Sequence, residues 1–185
     1  MNERDAVDRL KRGDISGLEA LVRMHQTRSL RVAYLITRDA HLAEDVVQST
    51  FLRLYEKRAL FDPERPFGPW LMRSVTNAAV KASTRARRNV SFDDRAWESL
   101  LDAGQPESML HRADTVREVR EALAELSPAQ RAAIVMRYYL DLSEAEMALR
   151  LDVPRGTVKR RLHDARERLR GLLRRDALDH RRTWQ

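Results

Sequence analysis

The feature that most constrains the fold is a run of apolar residues at helical spacing in the first half of the chain. Steps of three and one residue place the run on one face of an α-helix for about three turns. Its members are Ala43, Val46, Val47, Thr50, Phe51, Leu54 and Tyr55. Asp39 precedes it as a predicted N-cap. The same period recurs along the chain without a convincing strand pattern, so we predict an all-α fold.

Shorter apolar stripes predict further helices on both sides of this one. Two of them lie earlier in the chain, around residues 15–22 and 30–34. Another is expected from about Trp70 to Arg87. The segment Phe61–Pro69 comes before it, and its three prolines and one glycine are expected to keep it out of a helix.

The charge of the chain changes between residues 91 and 114. This segment carries six acidic and two basic residues, a net charge of −4, and Gly104-Gln105-Pro106 would interrupt a helix there. We interpret it as an acidic linker between two small helical domains, residues 1–90 and residues 115–185. A length of 185 residues leaves room for two such domains.

Composition excludes several classes of protein. The chain has no Cys, so it carries no disulfide scaffold, thiolate zinc site or cysteine nucleophile. Its five histidines have no metal-ligand spacing, and no phosphate loop or nucleophile elbow is present. We therefore predict no catalytic residue, no metal and no cofactor. No apolar run approaches the ~18 residues of a membrane span, and the start of the chain, Met1–Asp5, is charged in both signs with no apolar signal core behind it. We expect a cytoplasmic protein without membrane insertion.

Two capping boxes punctuate the second domain. Ser127 is followed three residues later by Gln130, and Ser143 by Glu146, so each pair can satisfy the free amides of a helix start. They predict helices over residues 128–139 and 144–151. Further helices are expected over residues 115–125 and 155–173.

The last two helices have the dimensions of a helix-turn-helix. Val153-Pro154 supplies a tight turn, and the final helix has an apolar seam opposite a basic face. Residues 155–175 hold nine basic and two acidic residues, a net of +7, which equals the formal charge of the whole chain. Such a helix suits the major groove of DNA. The predicted DNA contacts are Arg155, Thr157, Lys159, Arg160, His163 and Arg166.

Both halves of the sequence resemble the extracytoplasmic-function (group 4) sigma factors of bacterial RNA polymerase, in the sigma-70 family. Residues 43–53 (AEDVVQSTFLR) resemble region 2.2. Residues 61–71 (FDPERPFGPWL), followed by Asn77, resemble region 2.3. Residues 126–131 and 156–169 resemble the two ends of region 4. The resemblance covers most of the chain, in the order that the family has.

This resemblance implies an alternative sigma factor that binds core RNA polymerase and directs initiation at −10 and −35 promoter elements. The region 2.2 helix is implied to dock on the clamp helices of the β′ subunit, and region 4 on the flap of the β subunit. The implied polar contacts on β′ are Asp45, Gln48 and Ser49, the last standing where the family usually has an acid. The resemblance also implies control by a separate anti-sigma factor.

For the −10 element, the resemblance implies that the loop around residues 61–69 captures an unstacked base from melted DNA. The alternative for Phe67 and Trp70 is a role in the core, which we expect for Trp70. A polar stripe on the next helix would follow the promoter strand. The implied contacts are Phe61, Phe67, Arg73, Asn77, Lys81, Arg85 and Arg88. Lys81 replaces a usual Asp, Asp152 a turn glycine, and Arg160 a common Ser.

Two other interpretations stay open at this point. The chain could be a helix-turn-helix regulator that binds duplex DNA without polymerase, while its first half senses a ligand or a partner. It could also keep the shape of a sigma factor and act only through protein contacts. The Phe61–Trp70 loop and the Asp45/Gln48 pair favour the sigma factor, because an autonomous repressor needs neither of them.

Overall fold

The computed structural model describes residues 1–86, 119 and 121–182, with side chains up to residue 172. The chain divides into two compact units, Met1–Asn89 and Val90–Gln185. Every regular element within the described residues is helical, which confirms the all-α prediction. The predicted linker at 91–114, the start of the helix predicted at 115–125, and Arg88 lie outside the described residues.

The first unit packs four α-helices around one apolar core. Its largest fully buried side chains include Tyr34, Phe67 and Leu71. A 3₁₀ turn, Arg58–Leu60, lies between the third and fourth helices. The helices are α1 (Glu3–Lys11), α2 (Ile15–Thr37), α3 (Ala40–Glu56) and α4 (Phe67–Ala86).

Helix α1 was not predicted from the sequence. It begins at a capping box in which Asn2 and Asp5 bond each other's backbone amides, at 2.8 and 3.4 Å. Only Ala6, Val7 and Leu10 are buried among nine mostly charged residues. An apolar face this short gives too few repeats of the helical period to be recognised in a sequence.

Helix α2 replaces the two short helices predicted around residues 15–22 and 30–34, and that prediction was wrong. The residues between them are mostly polar, so the apolar period fades there, but they include no Pro or Gly that would interrupt a helix. Ser29 is fully buried and continues the inner face. The helix is capped by Asp14, which accepts from the Ser16 amide at 3.0 Å.

Helix α3 is the helix predicted from the apolar run, and its existence and inner face are confirmed. Asp39 caps it by accepting a hydrogen bond from the Leu42 amide at 3.0 Å. The predicted face is buried from Ala43 to Leu54, and Tyr55 at its end is half-buried. Burial of this face leaves the opposite side of α3 exposed, including Asp45 and Gln48.

Helix α4 begins earlier than predicted, at Phe67 instead of Trp70. Gly68 and Pro69 lie in its first turn, where the missing amide of proline removes no helical hydrogen bond. The expectation that all of residues 61–69 stay out of a helix was therefore wrong for the last three. Pro63 and Pro66 do precede the helix, as expected.

In the second unit, residues 121–124 are helical and a helix-turn-helix follows. Both predicted capping boxes are confirmed: Ser127 pairs with Gln130, and Ser143 with Glu146. The helix predicted over 128–139 changes to a π-helical turn after Ile134. The elements are α5 (Pro128–Ile134), the π-turn (Val135–Tyr139), α6 (Glu144–Leu151) and α7 (Arg155–Arg182).

The turn between α6 and α7 is sharp. Asp152 adopts the left-handed conformation with φ of 54°, at the position where a glycine would be expected. Its neighbour Val153 donates its amide to the carbonyl of Ala148 at 3.2 Å. Val158, Leu162 and Ala165 are fully buried, so the seam of α7 is fixed to its domain and the basic face points outward. Helix α7 also runs beyond the predicted end at residue 173.

Candidate nucleic-acid interfaces

A groove of about 610 Å³ lies in the first unit, lined by the end of α3, the 3₁₀ turn and one face of α4. Phe61 and Trp70 form its aromatic side, with their rings edge to face and their centroids 5.1 Å apart. On α4, Trp70 is followed around the same face by Ser74, Asn77 and Lys81. The fold thus brings together aromatic rings, an amide and an ammonium group along one concave surface.

Of the two phenylalanines predicted at this site, the structure places only Phe61 in the groove wall. Phe67 is 2% exposed and packs behind it, with ring centroids 5.6 Å from Phe61 and 5.3 Å from His25. Phe67 does not line the groove, so its assignment to DNA contact is corrected to a core role. Phe61 does line the groove, but it is only 6% exposed and closes the wall as a buried ring. Trp70, which was expected in the core, is the half-buried ring at the other end of the cluster and lines the groove.

Of the polar stripe predicted on α4, Asn77 and Lys81 line the groove. Arg73 and Arg85 are exposed on the same helix and do not line it.

The groove wall is strongly basic. Arg53 and Lys57 come from α3 and its end, and Arg65 from the loop, none of which was singled out from the sequence. With Lys81 they make four cations against one acid, Asp62. Arg65 is paired with that acid, Nε to Oδ2, at 3.4 Å. Such a wall suits the phosphates of a nucleic-acid strand.

A second surface lies on the outer side of α3. Asp45 and Gln48 are exposed there, as their predicted role requires. Ser49 is half-buried, and its hydroxyl donates to the carbonyl of Val46 at 3.1 Å within the helix. Leu52 stands four residues after Gln48 and is 55% exposed. Leu52 thus adds an apolar side chain to this polar surface, and the sequence pattern alone did not single it out.

The third surface is the outer face of α7. At about 100° per residue, Arg155, Lys159, His163 and Arg166 fall within an arc of about 80°. We call these four residues the recognition stripe. Arg155, Lys159 and His163 are exposed, and Arg166 is half-buried at the edge of the seam.

The other two residues predicted on α7 lie outside this stripe. Arg160 is rotated by about 60° from the nearest member of the stripe, since it lies three residues before His163. Its Nε is 3.8 Å from Asp164 Oδ2. Thr157 is half-buried, further around the helix.

Two features bear on other classes of function. Within the part of the chain that the structure describes, no three His, Asp or Glu side chains come together as metal ligands would. None of the described helices combines the length and apolar character needed to cross a bilayer.

Family models match both units of the chain. The model for sigma-70 region 2 matches residues 21–89, and the model for sigma-70 region 4 matches residues 116–169. The extracytoplasmic-function sigma factor SigL of Mycobacterium tuberculosis is 35% identical over 156 residues, which cover 83% of this chain and 86% of SigL. The chain belongs to the extracytoplasmic-function sigma factors of the sigma-70 family.

Other sigma factors are similar to this one over nearly its whole length. SigW of Bacillus subtilis is 27% identical over 177 residues, covering 91% of this sigma factor and 95% of SigW. The structure of CnrH in complex with the cytosolic domain of CnrY is similar with a TM-score of 0.66 and 26% identity. It covers 94% of this chain and 98% of CnrH. This protein is therefore a sigma factor of RNA polymerase, which binds the core enzyme and directs it to promoters.

Proposed function

We propose that this sigma factor holds an unstacked base of the −10 element in the groove between α3 and α4. The observation that carries the proposal is the half-buried ring of Trp70, backed edge to face by the buried ring of Phe61, with Asn77 on the same concave wall. A base inside a duplex has no free face, so recognition by stacking requires that it leave the helix. An amide beside the rings can then bond to the edge of the base.

The cations around the groove support the same assignment. Arg53, Lys57 and Lys81 line the groove and can neutralise the phosphates on both sides of a captured base. Lys81 stands where relatives of this family have an acid, so it adds attraction for the strand at the position where they have repulsion. A volume of about 610 Å³ falls within the range of sites that enclose small ligands, about 300–1,000 Å³.

The −35 element is assigned to the recognition stripe on α7. Long hydrogen-bonding side chains on a helix that is fixed by an apolar seam can enter the major groove as a unit. Arg155 and Lys159 stand in the first turns of α7, where recognition helices contact base edges. Supporting contacts with the DNA backbone are assigned to the predicted residues that lie beside these two surfaces. They are Arg160 and Thr157 beside the stripe, and Arg73 and Arg85 beside the groove.

The outer face of α3 is assigned to the clamp helices of the polymerase β′ subunit. Asp45 and Gln48 supply polar contacts, and exposed Leu52 supplies an apolar one between them and the end of the helix. Ser49 contributes less than an acid at this position would, because its hydroxyl is bonded inside the helix. In the second unit, region 4 is assigned to the flap of the β subunit, as the resemblance implies.

We further propose control by an anti-sigma factor that covers the polymerase-binding face of α3. CnrH, which is similar over nearly its whole length, was solved with the cytosolic domain of CnrY bound. The sigma factor itself is assigned no catalytic residue and no cofactor, since the polymerase supplies the chemistry. Its place of action is the cytoplasm, where the polymerase and the promoter are.

Reconstitution with core polymerase tests the proposal. The full-length sigma factor is added to core enzyme on fragmented genomic DNA, and the 5′ ends of the transcripts are sequenced. We expect discrete start sites with shared −10 and −35 sequences, which core enzyme alone does not produce. Absence of core binding, together with tight binding to duplex DNA by the free protein, would instead identify a regulator that works without polymerase.

A further inference from the structure

One pair of side chains joins the recognition helix to the π-turn. The Nε–H of Arg166 donates a hydrogen bond to the hydroxyl oxygen of Tyr138 at 3.0 Å. The same guanidinium group lies 5.7 Å from the centroid of the Tyr138 ring, within the range of a cation–π contact. A single tyrosine thus holds Arg166 through two different contacts.

Tyr138 lies in an unusual backbone segment. The amide of Leu140 bonds to the carbonyl of Val135 at 3.0 Å, and the amide of Leu142 to that of Met136 at the same distance. Such π-turns are rare and are frequently found at functional sites. Val135 and Met136 stay in the core, whereas Tyr138 is 63% exposed. Because the ring is exposed, packing in the core does not explain why a tyrosine stands at this position. Its contact with Arg166 of α7 does.

The hydrogen bond determines which edge of the guanidinium is presented. Arginine binds a phosphate through two parallel N–H groups, on either its Nε or its Nη1/Nη2 side. With Nε bonded to Tyr138, the Nη1/Nη2 edge of Arg166 is the one that can still bind a phosphate through two N–H groups. Arg166 is also about three turns from the start of α7. The base-reading residues of a recognition helix lie near its start, so this position fits the DNA backbone.

We propose that Arg166 clamps a phosphate of the −35 duplex and that Tyr138 is the positioning residue that holds the clamp. The inference rests on the proposed recognition of duplex DNA by α7. A phosphate contact fixes the register of the protein on DNA and carries no sequence information. Loss of this clamp therefore weakens binding to every sequence alike, unlike loss of a base contact from Arg155 or Lys159.

The test uses the full-length sigma factor assembled with core polymerase. Its probe is a labelled duplex that the wild-type holoenzyme has selected from a randomised library. Tyr138→Phe keeps the ring and removes the hydroxyl that accepts from Arg166. Tyr139→Phe makes the same change at the neighbouring exposed tyrosine and is the matched control. We expect about fivefold weaker binding for Tyr138→Phe, as for the loss of one ordinary hydrogen bond, and no change for the control.

Arg166→Ala supplies the second measurement. The plot of log affinity against log salt concentration should become less steep by about 0.9, the value for one phosphate contact. In the Arg166→Ala background, Tyr138→Phe should have no further effect, because the side chain that it positions is gone. A purely structural role of Tyr138 would give the same loss in both backgrounds. Thermal unfolding should be unchanged for both Phe variants, which shows that each is folded.

The outcomes separate this inference from the proposed function. Wild-type affinity for Tyr138→Phe, or an effect that persists without Arg166, would overturn the positioning role. A changed sequence preference of the Arg166→Ala holoenzyme would overturn the phosphate clamp and indicate a base contact. If the wild-type holoenzyme selects no duplex at all, the −35 assignment fails, and the clamp fails with it.

Discussion

Gly17 of α2 packs directly against the backbone of Ala6 in α1. A methyl group added to Gly17 would lie 2.5 Å from the Ala6 carbonyl oxygen and 2.5 Å from the Leu10 amide nitrogen. Both neighbours are backbone atoms of α1, so neither can swing aside as the end of a side chain would. This close approach lets the short helix α1 bury its three apolar residues.

Gly17→Ala should therefore loosen α1 from the first unit. Overpacking of this kind typically costs about 1–3 kcal/mol. Hydrogen exchange followed by mass spectrometry should show faster exchange in α1 and in the first turns of α2. Gly171→Ala is the control, because no atom lies within 4 Å of the added methyl and alanine favours a helix. Equal exchange in α1 for Gly17→Ala and wild type would contradict this packing.

Asn77→Ala should impair capture of the −10 base. A good base contact is worth about 1–3 kcal/mol, so open-complex formation should fall by tenfold or so, while binding to −35 duplex stays unchanged. Permanganate reactivity of the melted strand measures the first quantity, and an anisotropy assay the second. Arg73→Ala alters an exposed residue of the same helix outside the groove and should have a smaller effect. A larger loss for Arg73→Ala would move the site away from the groove.

Leu52→Ala should weaken binding to core polymerase with little effect on stability. The side chain is 55% exposed, so its removal costs little in the free protein, while a buried interface contact is worth about 1–2 kcal/mol. Competition for core enzyme against a labelled sigma factor measures the change. Leu149→Ala makes the same substitution at an exposed leucine of α6 and should bind core normally. Normal binding by Leu52→Ala would exclude it from the interface.

The capping box of α6 should be sensitive to acid. The hydroxyl and the amide of Ser143 donate hydrogen bonds to the Glu146 carboxylate, and they hold the pKa of Glu146 below its ordinary value of 4.5. The ionised carboxylate of Glu146 therefore stabilises the folded state above about pH 4.5. This contribution is lost as the pH falls through the lowered pKa.

Ser143→Ala should raise the pKa of Glu146 towards 4.5, as a carbon-13 titration of the carboxyl group would show. The stability difference between Ser143→Ala and wild type should narrow on acidification. Ser127→Ala is the control, because its partner Gln130 is neutral and its capping box does not titrate. A Glu146 that titrates at its ordinary value in the wild-type protein would rule out this effect.

The sequence by itself determined the helices that are fixed by interactions between residues close together in the chain. Asp39, Ser127 and Ser143 each act on the amide three residues away, and the apolar face of α3 repeats within four residues. Such interactions are complete within one helix, so they can be predicted from spacing alone. The exposed polar face of α3 and the basic face of α7 follow from the same period.

Only the tertiary structure decided how distant segments meet. Phe67 and Trp70 are three residues apart in one helix, yet the packing against α2 buries the first and leaves the second in the groove. The groove gathers Arg53, Phe61 and Lys81 from separate segments. Tyr138 reaches Arg166 across 28 residues of sequence through a π-turn without a local pattern. Spacing along a helix is a property of the sequence, whereas which side chains meet across helices depends on packing, and packing exists only in the folded chain.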